Sequence, residues 1–131
     1  MRHPTPREEL YDWHGRALRG LAPVITDIPR CGYYKRKLVK GGVFVPGRIW
    51  MFQEIDPETG ELLSDEVLQC EVNGRQADPM DAWPWLCANP ITEAEYRYLE
   101  ARINYASVHQ PADPFADARK PIDLNRTPIL F

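Results

Sequence analysis

The stretch Tyr33-Tyr34-Lys35-Arg36-Lys37-Leu38-Val39-Lys40-Gly41-Gly42-Val43-Phe44-Val45-Pro46-Gly47-Arg48-Ile49-Trp50-Met51-Phe52 decides the fold class of this chain. Aromatic and β-branched residues crowd into 33–39 and 43–55, and such side chains suit a pleated, half-buried surface. Between the two runs stands Lys40-Gly41-Gly42, a glycine pair able to adopt the positive φ values of a tight hairpin turn. Pro46-Gly47 interrupts the second run and predicts a bulge or an edge position, because proline cannot donate to a strand ladder. Strand alternation places Ile49, Met51 and Gln53 on one face, with Arg48, Trp50 and Phe52 on the other.

Moving toward the C-terminus, Asp56-Pro57-Glu58-Thr59-Gly60 is a strong turn and Leu62-Leu63 begins the return. Residues 67–72 alternate, with Leu68, Cys70 and Val72 opposed to Val67, Gln69 and Glu71, and Asn73-Gly74 turns the chain again. The centre is therefore an antiparallel meander or half-barrel of three or four strands. Its apolar side needs a cover, which flanking helices can supply.

Helical signals lie on either side. Thr5-Pro6-Arg7-Glu8 has the form of a capping box with proline at the first helical position, so a helix is expected over 6–20. Leu10, His14, Ala17, Leu18 and Leu21 share its apolar face, with Tyr11 and Trp13 at the borders. Residues 22–30 form a connector, with a short extended piece at Val24-Ile25. Asp78-Pro79 opens a helical turn through Trp83, which Pro84 breaks. Thr92-Glu93-Ala94-Glu95, with Ile91 just outside the cap, starts a second long helix over about 93–107. Tyr96, Leu99, Ile103 and Ala106 form its inner stripe. Beyond 110, Pro111, Pro114, Pro121 and Pro128 divide an extended segment that still carries Phe115, Ile122, Leu124, Ile129, Leu130 and Phe131. The expected organisation is one α+β domain over 1–110 and an extended, proline-rich C-terminal segment over 111–131 that docks on the domain or on a partner.

At 131 residues, with 44% apolar side chains, the chain can build its own core without metal or disulfide staples. Cys31, Cys70 and Cys87 are an odd, widely spaced set, which suits a reducing compartment. The first residues lack an apolar signal core, and no run reaches the ~20 apolar residues of a membrane span. A cytoplasmic protein with no membrane association is expected. Nineteen acids against 16 bases give a formal charge of -3, which excludes a generally basic nucleic-acid coat but allows a local basic groove.

Gly32-Tyr33-Tyr34-Lys35-Arg36-Lys37-Leu38-Val39-Lys40-Gly41-Gly42 and Asn89-Pro90-Ile91-Thr92-Glu93-Ala94-Glu95-Tyr96, together with Asp123-Leu124-Asn125 near the end, resemble blocks of small uncharacterised proteins encoded by phages and prophages. The resemblance implies an accessory protein that acts on host proteins, host defence or DNA, in the cytoplasm of the host cell. It carries no site residues with it.

Two charged blocks offer surfaces. From Arg30 to Arg48 there are six bases and no acid; from Glu54 to Asp81 there are nine acids and only Arg75 against them. The molecule is thus read as a charge dipole. The leading expectation is a non-catalytic protein that binds, and in one version inhibits, a host or phage protein. Its contact residues would be Glu58, Glu61, Asp65 and Glu66 of the acidic block with Tyr98 and Tyr105 of the last helix, since tyrosine gives large contact area at low ordering cost. A homodimer is a further possibility of the charge dipole. The alternative is a nucleic-acid-binding module using Tyr33, Lys35, Arg36, Lys37, Lys40, Arg48 and Trp50, which combine phosphate-binding bases with stacking rings. Against it, Lys35 and Lys37 share one strand face and Arg36 the other, and lysines on a hairpin also serve simply to keep it solvated. Trp83 and Trp85 are expected in the core, with Trp13 and Trp50 as exposed contact residues.

A third reading is a metal-dependent nuclease built from Glu54, Asp56, Glu71 and Lys35 around Mg²⁺. Cys31, Cys70 and Cys87 with His14 or His109 have the right atoms for zinc, but lack a close Cys-x-x-Cys pair, and buried structural thiols are expected instead. No phosphate-binding glycine loop, zinc-protease helix or nucleophile elbow is present. Neither a cofactor, a metal nor a catalytic residue is expected.

Overall fold

The computed structural model describes residues 2–22 and 27–122. An open antiparallel sheet in the order β1-β2-β3-β4 is flanked by helices on both faces. The strands are β1 (Gly32–Lys37), β2 (Phe44–Phe52), β3 (Val67–Val72) and β4 (Arg75–Ala77). The chain before them forms two short helices, α1 (Arg7–Leu10) and α2 (Asp12–Leu18); after them come α3 (Pro79–Leu86), α4 (Glu93–His109) and a 3₁₀ turn, Pro114–Ala116. The meander does not close into a barrel. Val24-Ile25 and the tail from 123 onward lie outside the described residues.

The strand alternation sorts side chains onto two cores. On one face Tyr34, Ile49 and Cys70 pack with Leu86 and Trp83 of α3 and with Trp13 and Ala17 of α2. On the other, Tyr33 meets Tyr96 and Leu99 of α4 together with Ile91. A third cluster at the hairpin end joins Val43 and Val45 to Ala118, so the segment after α4 folds back onto the sheet. Outside β1 the chain at 89–91 runs as a strap: Lys35 N–H donates to the Asn89 carbonyl and Ile91 N–H to the Tyr33 carbonyl.

Helix α4 follows its local signals closely. Thr92 Oγ1 accepts from Glu95 N–H, and Ile91 packs beside Tyr96 as a hydrophobic staple. Other expectations are corrected. Thr5 does not cap the first helix: its N–H and hydroxyl both donate to the Glu66 carboxylate, leaving Pro6 at the cap position. The expected single helix is divided at Tyr11, and Leu18 and Leu21 are exposed while Trp13 is buried edge-on against Trp83. Pro84 does not end α3, because it lies on the exposed side, where the carbonyl it leaves without a donor is open to water.

Pro46 makes neither a bulge nor an edge strand. The β1–β2 register runs without interruption, and β2 is interior. Since Lys35 N–H points outward to Asn89, the Lys35–Pro46 pair is a non-hydrogen-bonded one, and β1 requires no donor from the proline. The hairpin turn is also longer than two residues, closing from Lys37 to Phe44, with Gly41 at φ +80°.

Candidate functional site

The meander separates the charge blocks. The β1–β2 loop and the Asn73-Gly74 turn lie at one end of the sheet, and the acidic 53–66 loop lies at the other. At the basic end two adjoining clefts, about 270 and 560 Å³, share Arg36, Leu38 and Trp85. The first also takes in Arg75 and Arg119, and the second Lys37 and Lys40. Asp81 is the one acid among their lining residues.

Trp85 is the pivot. Trp83 and Trp85 are two residues apart on a helix, so they point to nearly opposite sides. Trp83 enters the core against Trp13 and Tyr34, whereas Trp85 is 60% exposed. The expectation that both tryptophans fill the core is therefore corrected for Trp85. The Arg36 guanidinium lies over the Trp85 ring, 5.0 Å from its centroid. Partial burial lowers the Arg36 pKa from its ordinary value, and among the described residues no carboxylate pairs with it. Lys37, Lys40, Arg75 and Arg119 likewise make no salt bridge among the described residues. A cation partly withdrawn from water and left without a counter-charge favours an incoming anion.

The structure divides the proposed basic set. Tyr33 is buried under α4, so it presents no open ring. Lys35 pairs with Glu95 at 3.1 Å. Arg48 pairs with Glu71 at 3.3 Å and lies over the half-buried Trp50 ring, on the α4 side of the sheet. Arg36, Lys37 and Lys40 line the second cleft, Lys37 from the opposite strand face with its ammonium 5.0 Å from the centre of the Phe44 ring. Trp85, Arg75 and Arg119 join them from α3, β4 and the C-terminal segment; one sequence signal for Trp85 was available in its two-residue offset from Trp83.

The acidic set divides as well. Glu66 accepts from Thr5 and from Gln53 Nε2, and these hydrogen bonds hold its carboxyl below the usual range. Asp65 pairs with Arg2. Glu58 is exposed at the loop tip and Glu61 half-buried, and Tyr98 and Tyr105 are exposed on the outer side of α4. Phe52 and Val67, opposite each other across β2 and β3, are exposed beside Ile55 and Leu63 within the same acidic loop region.

The nuclease set is not assembled. Glu71 belongs to Arg48, Lys35 to Glu95, Glu54 accepts from Ser64, and Asp56 accepts from the Glu58 amide. Among the described residues no group of three or more histidine, cysteine or acidic side chains is placed to hold a metal ion. Cys31, Cys70 and Cys87 are buried, and burial pushes the Cys31 and Cys70 thiols up to about 11, far from the thiolate form that nucleophilic or zinc chemistry uses. His14 is buried, with Nε2 3.0 Å from the Tyr33 carbonyl and 2.8 Å from the Ile91 carbonyl. Both partners only accept, so Nε2 carries the proton and the ring is a structural donor. Among the described residues no helix is long and apolar enough to cross a membrane.

No protein-family model, curated protein or solved structure matches this chain.

Proposed function

We propose that this protein binds single-stranded nucleic acid through the clefts around Trp85. The observation that carries the reading is the exposed Trp85 indole under an Arg36 guanidinium that has no carboxylate partner, set among Lys37, Lys40, Arg75 and Arg119. An exposed ring within a basic groove offers base stacking and phosphate neutralisation together, the combination that single strands exploit. A duplex hides its base faces and gains only the phosphate term. The acidic 53–66 loop at the far end of the sheet limits a long polyanion to the basic end.

Fluorescence anisotropy with labelled single-stranded and duplex probes tests this. Single strands should bind more tightly, Trp85→Ala should weaken them by about 10-fold or more, and Trp85→Phe should recover part of the loss. Arg36→Ala and Arg75→Ala should each reduce the logarithmic salt slope by about 0.7. Binding that is unchanged in Trp85→Ala, or absent at low salt, would overturn the reading.

A second reading keeps protein binding, on the exposed Phe52, Ile55, Leu63 and Val67 bordered by Glu54, Glu58, Glu61 and Asp65. An apolar centre with an acidic rim fits a protein whose contact surface is basic. Its variant is Leu63→Asp, which should abolish such a complex and leave nucleic-acid binding intact.

A further inference from the structure

Helix α4 carries two apolar stripes on opposite sides. Tyr96, Leu99, Ile103 and Ala106 face the protein, and the first, second and last of these are buried. Ala94, Tyr98, Ala101, Tyr105 and Val108 recur at intervals of four, three, four and three, and every one of them is exposed. Tyr98, Tyr105 and Val108 reach 62%, 54% and 73%. The inner stripe repeats at the same threes and fours and packs on the sheet; the outer stripe repeats them with its side chains exposed, the spacing by which a second helix can pack along it.

The order of sizes in the seam selects the occupant. Small and large residues alternate over Ala94, Tyr98, Ala101 and Tyr105. Let a second α4 lie antiparallel with its Ala101 level with Tyr98. Its Ala94 then comes level with Tyr105, and the two-fold axis repeats both contacts, so each of four layers sets a tyrosine against an alanine. A parallel pair would instead stack tyrosine on tyrosine and leave alanine facing alanine. Charge agrees with the antiparallel register: Glu95 and Arg102 flank the seam on one side, and each comes opposite the other in the second copy. Within its own chain Glu95 is paired with Lys35 and Arg102 with Asp113, and Arg102 Nη1 is buried, so these residues favour the register by bringing no like charges together across the seam.

We propose that the chain forms a two-fold dimer through the outer face of α4, with the two helices antiparallel. The patch is one helix wide, so the dimer is weak and depends on concentration. The proposal does not rest on the nucleic-acid reading, because Trp85 lies on α3, across the sheet from α4.

Sedimentation equilibrium of the full chain tests it. The weight-average mass should rise from one chain toward two between about 5 and about 500 µM. Tyr98→Glu and Tyr105→Glu should each raise the dissociation constant by about 10-fold or more while the circular-dichroism spectrum is unchanged. Ala101→Tyr puts two large rings in one layer and should weaken the dimer. Adding Tyr98→Ala to it exchanges the two sizes within each layer and should restore the wild-type constant to within about threefold. A chain that remains monomeric throughout, a dimer indifferent to Tyr98→Glu, a dimer lost instead in Leu63→Asp, or a failed size-swap rescue would each overturn the proposal.

Discussion

The imidazole of His14 rests on the backbone of Gly32: a Cβ added at that glycine would fall 2.5 Å from the ring Cδ2 and 2.8 Å from the histidine's own Cβ. Only a residue without a side chain lets α2 come this close to the first strand. The closeness brings His14 Nε2 within reach of two carbonyls, one on β1 and one on the strap. Gly32→Ala should therefore cost about 1–3 kcal/mol, the usual penalty for overpacking. Urea denaturation measures it, and Gly15→Ala, inside α2 with nothing within 4 Å of the new carbon, should change stability in the opposite direction, by about 0.5–1 kcal/mol.

The same burial sets a pH dependence. Desolvation lowers the His14 pKa below its ordinary value, against the two carbonyl hydrogen bonds that raise it. The unfolded chain then binds a proton at a pH where the folded chain does not, so stability falls as pH drops below the ordinary histidine range. The slope is at most about 1.4 kcal/mol per pH unit for one proton. Denaturation midpoints between about pH 8 and about pH 5.5 should decline in the wild type and flatten in His14→Gln. Glu66, whose carboxyl is held low by Gln53 and Thr5, adds its loss only at lower pH.

The inner stripe of α4 divides energetically. Leu99 is buried against Tyr33 and Tyr96, whereas Ile103 is only partly covered. Leu99→Ala should destabilise by about 2–4 kcal/mol and Ile103→Ala by less, following the usual range for emptied aliphatic sites. Chemical denaturation that ranks them in the reverse order would contradict this packing.

The Thr5–Glu66 contact joins residues 61 positions apart, with the hydroxyl at 2.8 Å. Thr5→Val should cost about 0.5–1.5 kcal/mol, and Thr5→Ser should recover most of it. In a double-mutant cycle with Glu66→Gln the two losses should add to more than the double variant shows, because both remove one interaction.

The contrast between Thr5 and Thr92 explains what the sequence discloses. Both precede a capping-box pattern, but Thr92 Oγ1 accepts from Glu95 N–H and caps α4, while Thr5 is drawn away by a carboxylate on the approach to β3. Local signals suffice where the partners are local: the antiparallel meander, the Asn73-Gly74 turn and α4 are legible, whereas the length of the first hairpin turn and the place of Pro46 are not. Tyr11 breaks the first helix where Arg7 stacks on its ring and Tyr33 approaches from β1, again a distant residue. The basic end was legible only in its hairpin portion. Arg75 and Arg119 stand far along the chain, and a helix that stops at Pro84 gives Trp85 no side. Carrying the helical period past that proline would have put the two indoles on opposite sides.

The strap at 89–91 also grades the chain by how readily its amides meet solvent. Strand β1 is hydrogen-bonded on one flank to β2 and on the other to residues 89–91, whereas the outer flank of β4, three residues long, has no strand among the described residues beside it. Deuterium should therefore enter Arg75–Ala77 through small local openings, reach Lys35 only when the strap releases, and reach Tyr34 only when β1 parts from β2. The strand that lies first in the sheet order is thereby protected like an interior one, and only the β4 side of the sheet exchanges as an edge.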